Sequence, residues 1–460
     1  MYECFFSVMG DPRERIKYAI IFRDMCYEEV RESIMSKELS VNTVVRIYES
    51  DRTKIPSPEF LPRARSEEYL FEYTILHLAL YVDDDEFVDF LLENNADTTL
   101  ETEHLGPAIL SAIKLNRLKY VKKLVTAGGD VNRIIYVRGI HERESRRLND
   151  EYNIHIYYNE YTPLEFAVNL NAYEIAEFLI SQGADVHGRY GNNGRYSDSP
   201  MGIAASSNNV GMIKLLIKHG ADINTGDYHG LTPLMKTSFD NDNSASRRFL
   251  LSHPFIEINS LTNHKKSCLH FPGIRRIFYN ADPKFSLQDL LNAGCDVNIV
   301  SKSGKLPIDS YGDKKKCFEV MKKHIVKLMA AGFYVCDKNR EVVSGSELTE
   351  FKVKCDMEVE VMKNTYGIMA GFSLFDILHR SYHKLALRIK DGDEDKFNDK
   401  MAAKFLLFAG MIKYRLEKAG QRRKLFNQVE NTLYKIFSRY LPATFIHEIN
   451  FELSKLVEIT

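Results

Sequence analysis

Apolar positions along the chain fall into two arrangements. From residue 74 to about residue 332 they come as pairs of short runs, the first behind a Thr, Ser or Gly and the second closing on a Gly-Ala-Asp turn. Spacings of three and four residues within each run predict short helices joined in pairs, each with one buried face. From about residue 350 the runs lengthen, through SELTEFKVKCDMEVEVMKNTYG, SLFDILHRSYHKLALRIK, KMAAKFLLFAGMIKYRLEKAG, KLFNQVENTLYKIFSRYL and ATFIHEINFELSKLVE. They predict a second helical segment of different design.

The paired runs repeat one phrase, T-P-L-x-x-A, then L-L-x-x-G-A-D and V-N. Its copies begin at Thr74 (TILHLA), Gly106 (GPAILSA), Thr162 (TPLEFA), Ser199 (SPMGIAA), Thr232 (TPLMK), Ser267 (SCLH) and Lys305 (KLPID), seven in all. The closing Asp residues keep the same register: Asp97 and Asp130 are 33 apart, Asp185 and Asp222 are 37 apart, and Asp222 to Asp296 is 74, two units with Asn259 ending the first. Asp130 to Asp185 is 55, which places an insertion of about 22 residues beyond a period of about 33.

Each part of the phrase has a physical use. The Thr hydroxyl accepts from amides that a helix start leaves without partners, and Pro suits the first helical position. Gly permits the positive φ of a helix end, and Asp and Asn shape the turn beyond it. His77 and His270, fourth in their copies, can tie a turn to its neighbour's backbone through both ring nitrogens. The phrase and its period resemble the ankyrin repeat. That resemblance implies an all-α solenoid in which stacked helix pairs bury a continuous core and leave a long concave surface for protein partners.

The domain plan follows. Residues 1–48 read as an amino-terminal helical cap or degenerate repeat ending in Ser40-Val41-Asn42, residues 49–73 as a linker loop with Pro56, Pro58 and Pro62, and 74–340 as the repeats. Residues 350–460 form the helical carboxyl-terminal domain, in which Ser373 and Asp376 approximate a capping box. The insertion, about 133–160, carries Tyr136, Arg138, Arg143, Arg146, Arg147, Tyr152, Tyr157 and Tyr158. Tyr and Arg are enriched at binding hot spots, so these are candidates for target contact, against the plainer reading of the insertion as packing without a partner.

Charge and composition exclude several classes. Lys plus Arg number 62 against 63 acidic residues, so no net field draws the chain to nucleic acid or an anionic membrane. The basic runs Lys314-Lys315-Lys316 and Arg422-Arg423-Lys424 read as solvated helix faces or turns. The first residues lack a basic signal-peptide start, and no stretch approaches the roughly 20 apolar residues of a membrane span. The expectation is an intracellular protein, cytoplasmic or nuclear, of a host cell if the family below is a guide. Seven scattered cysteines without a C-x-x-C pair suit small packing residues.

The carboxyl-terminal segments CDMEVEVMK (355–363), GFSLFDILHRS (371–381) and LPATFIHEI (441–449) together resemble the PRANC domain, which accompanies ankyrin repeats in proteins of poxviruses, parasitoid wasps and some intracellular bacteria. In that family the last segment is similar to a short F-box, which docks on the linker subunit of a cullin ubiquitin ligase while the repeats hold a substrate. The resemblance implies that Leu441 and Pro442 are the opening Leu-Pro, and that Phe445, Ile446, Ile449, Leu453 and Leu456 form the ligase-binding helix. Phe445, Ile449 and Leu453 do share a helical face by spacing, a form that enters partner grooves; it serves equally as a domain's core and end cap.

No nucleotide loop, nucleophile elbow or H-E-x-x-H motif occurs, and His379 with His383 lacks a third ligand for zinc. No catalytic residue, metal or cofactor is expected. Two functions compete: an adaptor that joins a target protein to a cullin-type ligase, and a binder that masks its partner, such as an immune-signalling transcription factor, without destroying it. A passive scaffold is a third.

Overall fold

The computed structural model describes residues 27–48, 70–101, 106–139, 157–188, 198–238, 244–271, 283–311, 315–390 and 392–437. The chain divides into two compact units, one of residues 1–204 and 214–221, the other of residues 205–213 and 222–460.

In the first unit, helix α1 (Tyr27–Met35) precedes strands β1 (Val44–Tyr48) and β2 (Leu70–Thr74), which pair antiparallel with Val44 opposite Thr74 and Tyr48 opposite Leu70. Helix pairs follow: α2 (Ile75–Val82) with α3 (Asp85–Glu93), α4 (Ala108–Lys114) with α5 (Leu118–Thr126), and, after strands β3 (Ile135–Gly139) and β4 (Tyr157–Tyr161), α6 (Pro163–Asn169) with α7 (Tyr173–Ser181). Helices α2, α4 and α6 pack in sequence, and α5 packs on α7. This is the all-α ankyrin-repeat solenoid that the phrase implies. The pair α8 (Pro200–Ser206) and α9 (Val210–Lys218) spans the division between the units.

The phrase residues act as their chemistry requires. The Thr74 hydroxyl accepts from the His77 amide, and Thr162 with Glu165 forms a reciprocal capping box. Gly183 ends α7 with φ +88°, which an L side chain would resist. His77, fully buried, lies 2.8 Å through Nδ1 from the Thr74 hydroxyl and 2.9 Å through Nε2 from the Gly106 carbonyl oxygen. Because a carbonyl only accepts, Nε2 carries the proton and Nδ1 accepts, a neutral ring. Burial holds its pKa down at about 4.

In the second unit the first helix of each pair shrinks. Helix α10 (Pro233–Lys236) is followed by α11 (Ser244–Ser252), but Cys268–His270 and Pro307–Tyr311 are single tight turns paired with α12 (Pro283–Asn292) and α13 (Lys315–Ala330). Lys236 stands at the fifth position of its copy, where the Thr74 and Thr162 copies have Leu78 and Phe166, and its ammonium meets the Asp227 carboxylate at 2.9 Å in a buried pair. Cys268 and Cys295, both buried, bring their Sγ atoms to 3.3 Å as packing residues of one repeat.

Beyond the repeats lie α14 (Asp337–Val342), α15 (Thr349–Lys363), α16 (Leu374–His379), α17 (Tyr382–Arg388), α18 (Asp393–Lys396), α19 (Asp399–Ala402) and α20 (Ala409–Phe437). The Ser373–Asp376 capping box is present. Helix α20, 29 residues long, packs on α16, α17 and α18, and on α11 and α12 of the repeats. Its cations close other helices: Arg415 Nε donates to the Ile377 carbonyl at 2.7 Å, and the same guanidinium reaches Arg380. Glu358 of α15 accepts from the amides of Leu407 and Phe408, at 3.1 and 3.0 Å, where α20 begins.

Two places differ from the sequence reading. Residues 70–73, expected within a loop, pair with residues 45–48, expected within a helical cap, and both ends of the insertion are strand. Val44, Val45, Ile47, Leu70, Phe71 and Tyr73 are β-branched, aromatic or apolar side chains suited to a ribbon, a pattern too short to read unaided.

Candidate protein-binding surfaces

The turns between repeats are built as a ladder. The carboxylates of Asp97, Asp130, Asp185, Asp222 and Asp296 each accept the backbone amide two residues on, at 2.8 to 2.9 Å. Asn side chains then join one turn to the next. Asn132 Oδ1 accepts from Asp185 at 2.8 Å and its Nδ2 donates to Gly183 at 2.9 Å; Asn224 does the same with Glu257 and Phe255, and Asn298 with Cys336 and Tyr334. Asn42 accepts from the Asp97 amide at 2.8 Å, so the segment ending in Ser40-Val41-Asn42 is bonded as a repeat.

This ladder fixes which side chains face solvent. In the second unit Leu261 and Val300 sit two residues past Asn259 and Asn298, at equivalent places on consecutive turns, and both are exposed. Phe255 and Tyr334, whose carbonyls receive Asn224 and Asn298, are exposed too, Tyr334 at 74%. Tyr228 is exposed beside the buried Asp227–Lys236 pair. Large apolar groups held in water by a rigid ladder are the kind of surface that a protein partner covers. The sequence reading missed these five; its available signal was an apolar residue just past each turn.

In the first unit the inserted ribbon carries part of the candidate contact set. Tyr136 and Arg138 lie on β3, Tyr157 and Tyr158 on β4, with Arg138 opposite Tyr158 and Tyr136 opposite Glu160 in the backbone register. Arg143, Arg146, Arg147 and Tyr152 lie outside the described residues, as do Leu441, Pro442, Phe445, Ile446, Ile449, Leu453 and Leu456. In the same unit, an ion network binds α5 to the α2–α3 pair: Lys119 reaches Asp83 at 3.0 Å and Asp85 at 2.7 Å, Lys123 reaches Asp89 at 2.8 Å, and the Tyr120 hydroxyl donates to Asp83 at 2.8 Å. Burial, with Asp83 beside it, raises the Tyr120 pKa.

On chemistry, the described residues contain no group of three His, Cys, Asp or Glu side chains able to hold a metal. His379 stacks on Phe333 at 4.5 Å, and its two ring nitrogens face the carbonyl oxygens of Phe375 and Ala331, each at 2.9 Å, while His383 is buried edge-on to Phe426. No described helix is long and apolar enough to cross a membrane.

Two ankyrin-repeat models match residues 159–189 and 196–225. Among curated proteins, the ankyrin repeat protein FPV031 of fowlpox virus (strain NVSL) is 24% identical over 289 residues, 59% of this chain and 80% of that protein. Ankyrin repeat protein OPG189 is 24% identical in vaccinia virus (strain Copenhagen), over 49% of this chain, and 22% identical in monkeypox virus, over 45%. In both cases the matched region spans only 40% of the viral protein. Among solved structures, the ankyrin repeat domain of Bcl-3 overlaps 68% of this chain and 99% of its own, at 16% identity and a TM-score of 0.37. The chain carries ankyrin repeats, a protein-binding architecture.

Proposed function

We propose that this chain is the substrate-recognition adaptor of a cullin-type ubiquitin ligase, its repeats holding a target protein and its terminal segment, Leu441 to Leu456, docking on the ligase's linker subunit. The observation that carries the reading is the seat of α20. Lys418 and Tyr414 donate to the Leu251 carbonyl oxygen at the end of a repeat helix, so the helix leading toward Leu441 is bonded to the repeats themselves. An adaptor needs that coupling, because a target and a ligase held on one rigid support meet at high effective concentration, and a loose tether dilutes them. The PRANC-like motifs and the F-box-like spacing of Phe445, Ile449 and Leu453 supply the docking element.

The test is quantitative co-precipitation of the intact chain from cells beside a folded variant carrying Leu441→Ala, Pro442→Ala and Ile449→Ala. Recovery of cullin and linker subunits with the intact chain alone, while other partners stay with both, supports the adaptor and makes those partners the candidate substrates. Absence of ligase subunits from both turns the reading to a masking inhibitor.

A further inference from the structure

Three turns of the second unit share one backbone design. Asp227, Thr262 and Ser301 each donate an amide to the carbonyl oxygen four residues on, in Leu231, Lys266 and Lys305, at 2.9 to 3.1 Å. Their own carbonyls accept from the amides of Gly230, Lys265 and Gly304 at 2.7 to 2.9 Å. The tips are bonded to one another as well. The Asn263 amide donates to the His229 carbonyl at 3.0 Å, its side chain to the Tyr228 carbonyl at 2.8 Å, and the Lys302 amide to the His264 carbonyl at 2.9 Å. Residues 228–231, 261–266 and 300–305 therefore stand as one fixed row.

The row is basic. It carries Lys265, Lys266, Lys302 and Lys305 and neither Asp nor Glu. The carboxylates that flank it are engaged elsewhere: Asp227 with the Lys236 ammonium and the amides of His229 and Leu231, and Asp296 with the Asn298 amide. Asp309, which lies in the field of Lys305, holds Lys338 at 2.7 Å and the Leu306 amide at 2.8 Å. Lys265, Lys302 and Lys305 are exposed, while Lys266 is half-buried and stands 5.8 Å from the Phe271 ring centroid. Lys265 also occupies the left-handed position of its turn, at φ +54°, where the sister turns have Gly230 and Gly304. That backbone costs a lysine more than a glycine, and such strain collects where a side chain is put to use.

Apolar groups stand among the lysines. Tyr228, Leu261 and Val300 are 46%, 47% and 52% exposed. A nucleic-acid strand would engage the lysines and stack on Tyr228, but it gains little from two aliphatic side chains. An acidic protein segment with apolar residues of its own answers both features at once. We propose that this row seats an extended acidic segment of the target protein. Its carboxylates lie against Lys265, Lys302 and Lys305, and its apolar side chains against Tyr228, Leu261 and Val300. This rests on the reading that the repeats hold a target and is independent of ligase docking.

The experiment is fluorescence anisotropy of the full chain with a labelled peptide of Glu-Asp-Leu and Glu-Asp-Phe triplets, about 15 residues and roughly 50 Å when extended. Polyglutamate and an oligothymidine strand of similar length are the controls. Saturable binding of the peptide is expected, weakened about fivefold between about 0.05 and 0.3 M salt, with both controls at least tenfold weaker. Lys265→Gly should weaken the peptide about threefold while thermal stability holds or rises, since Gly suits that backbone. Lys302→Glu with Lys305→Glu, at exposed positions, should weaken it at least tenfold. Absence of saturable peptide binding, affinity unmoved in these variants, or a control that binds as tightly as the peptide would each overturn the proposal. Should the peptide fail while Val300→Asp with Tyr334→Ala sheds targets recovered from cells, the acidic chemistry falls and the target-holding reading stands. Should the intact chain recover no protein partner, both fall.

Discussion

The ammonium of Lys418 donates to the carbonyl oxygen of Leu251 at 3.2 Å, so a residue of α20 closes the end of a repeat helix 167 positions earlier in the chain. The same group reaches the His253 carbonyl, and Tyr414 joins it on Leu251 at 3.0 Å. A cation at a helix carboxyl end also answers the helix dipole. The carboxyl-terminal helices are therefore fastened to the repeats of the second unit by polar bonds as well as by buried apolar area.

Burial of Lys418 makes the stability of the second unit depend on pH above neutrality. Burial holds the Lys418 pKa down at about 7, whereas an unfolded lysine titrates near 10.4. Between those values the unfolded chain binds the extra proton, so this group's contribution to stability rises with pH and is lost as pH falls toward 7. Urea unfolding of intact protein and Lys418→Met, compared at pH 8 and pH 9.5, should show a shallower rise in the variant, by up to about 1 kcal/mol per pH unit. Parallel slopes would mean that Lys418 titrates normally.

His77 works in the acid range. Its pKa of about 4 lies below the 6.5 of an unfolded histidine, so the unfolded state binds the proton first as pH falls. The stability it carries is complete above pH 6.5 and drains away toward pH 4, by about 3 kcal/mol in all. Replacement by Gln, followed by urea midpoints from pH 7.5 to 4.5, should lower stability at neutral pH by about 1–3 kcal/mol and reduce the loss on acidification. An unchanged acid slope in the variant would reassign the loss to other groups.

Asn132 links two turns across the insertion. Asn132→Ala removes the acceptor for the Asp185 amide and the donor to the Gly183 carbonyl, at an exposed site where water replaces both in part. A loss of about 1–2 kcal/mol is expected from urea midpoints. Asn132→Asp keeps only the acceptor and should fall between. Equal stability of Ala and Asp variants would show that the Gly183 bond alone matters.

The exposed turn residues should govern capture and leave folding alone. Val300→Asp together with Tyr334→Ala changes two solvent-facing side chains, so thermal stability should hold within about 0.5 kcal/mol. Target proteins recovered in quantitative co-precipitation should fall about tenfold, as for loss of a hot-spot contact. Recovery at the intact level would move target binding to another face, the β3–β4 ribbon first among them.

What the sequence determined by itself is everything settled within a few residues. A Thr hydroxyl that meets an amide three positions on, a Gly that ends α7, and an Asp that bonds two residues ahead need no distant partner, so the repeats, their register and the roles of Thr74, Thr162, His77 and Ser373 were legible. Only the tertiary structure decided which surfaces meet. The apolar face of α20 did not name α11 and α12 as its seat. Local hydrogen bonds are directional and written in adjacent residues, whereas apolar burial has no direction and accepts any complementary face that the folded chain brings near.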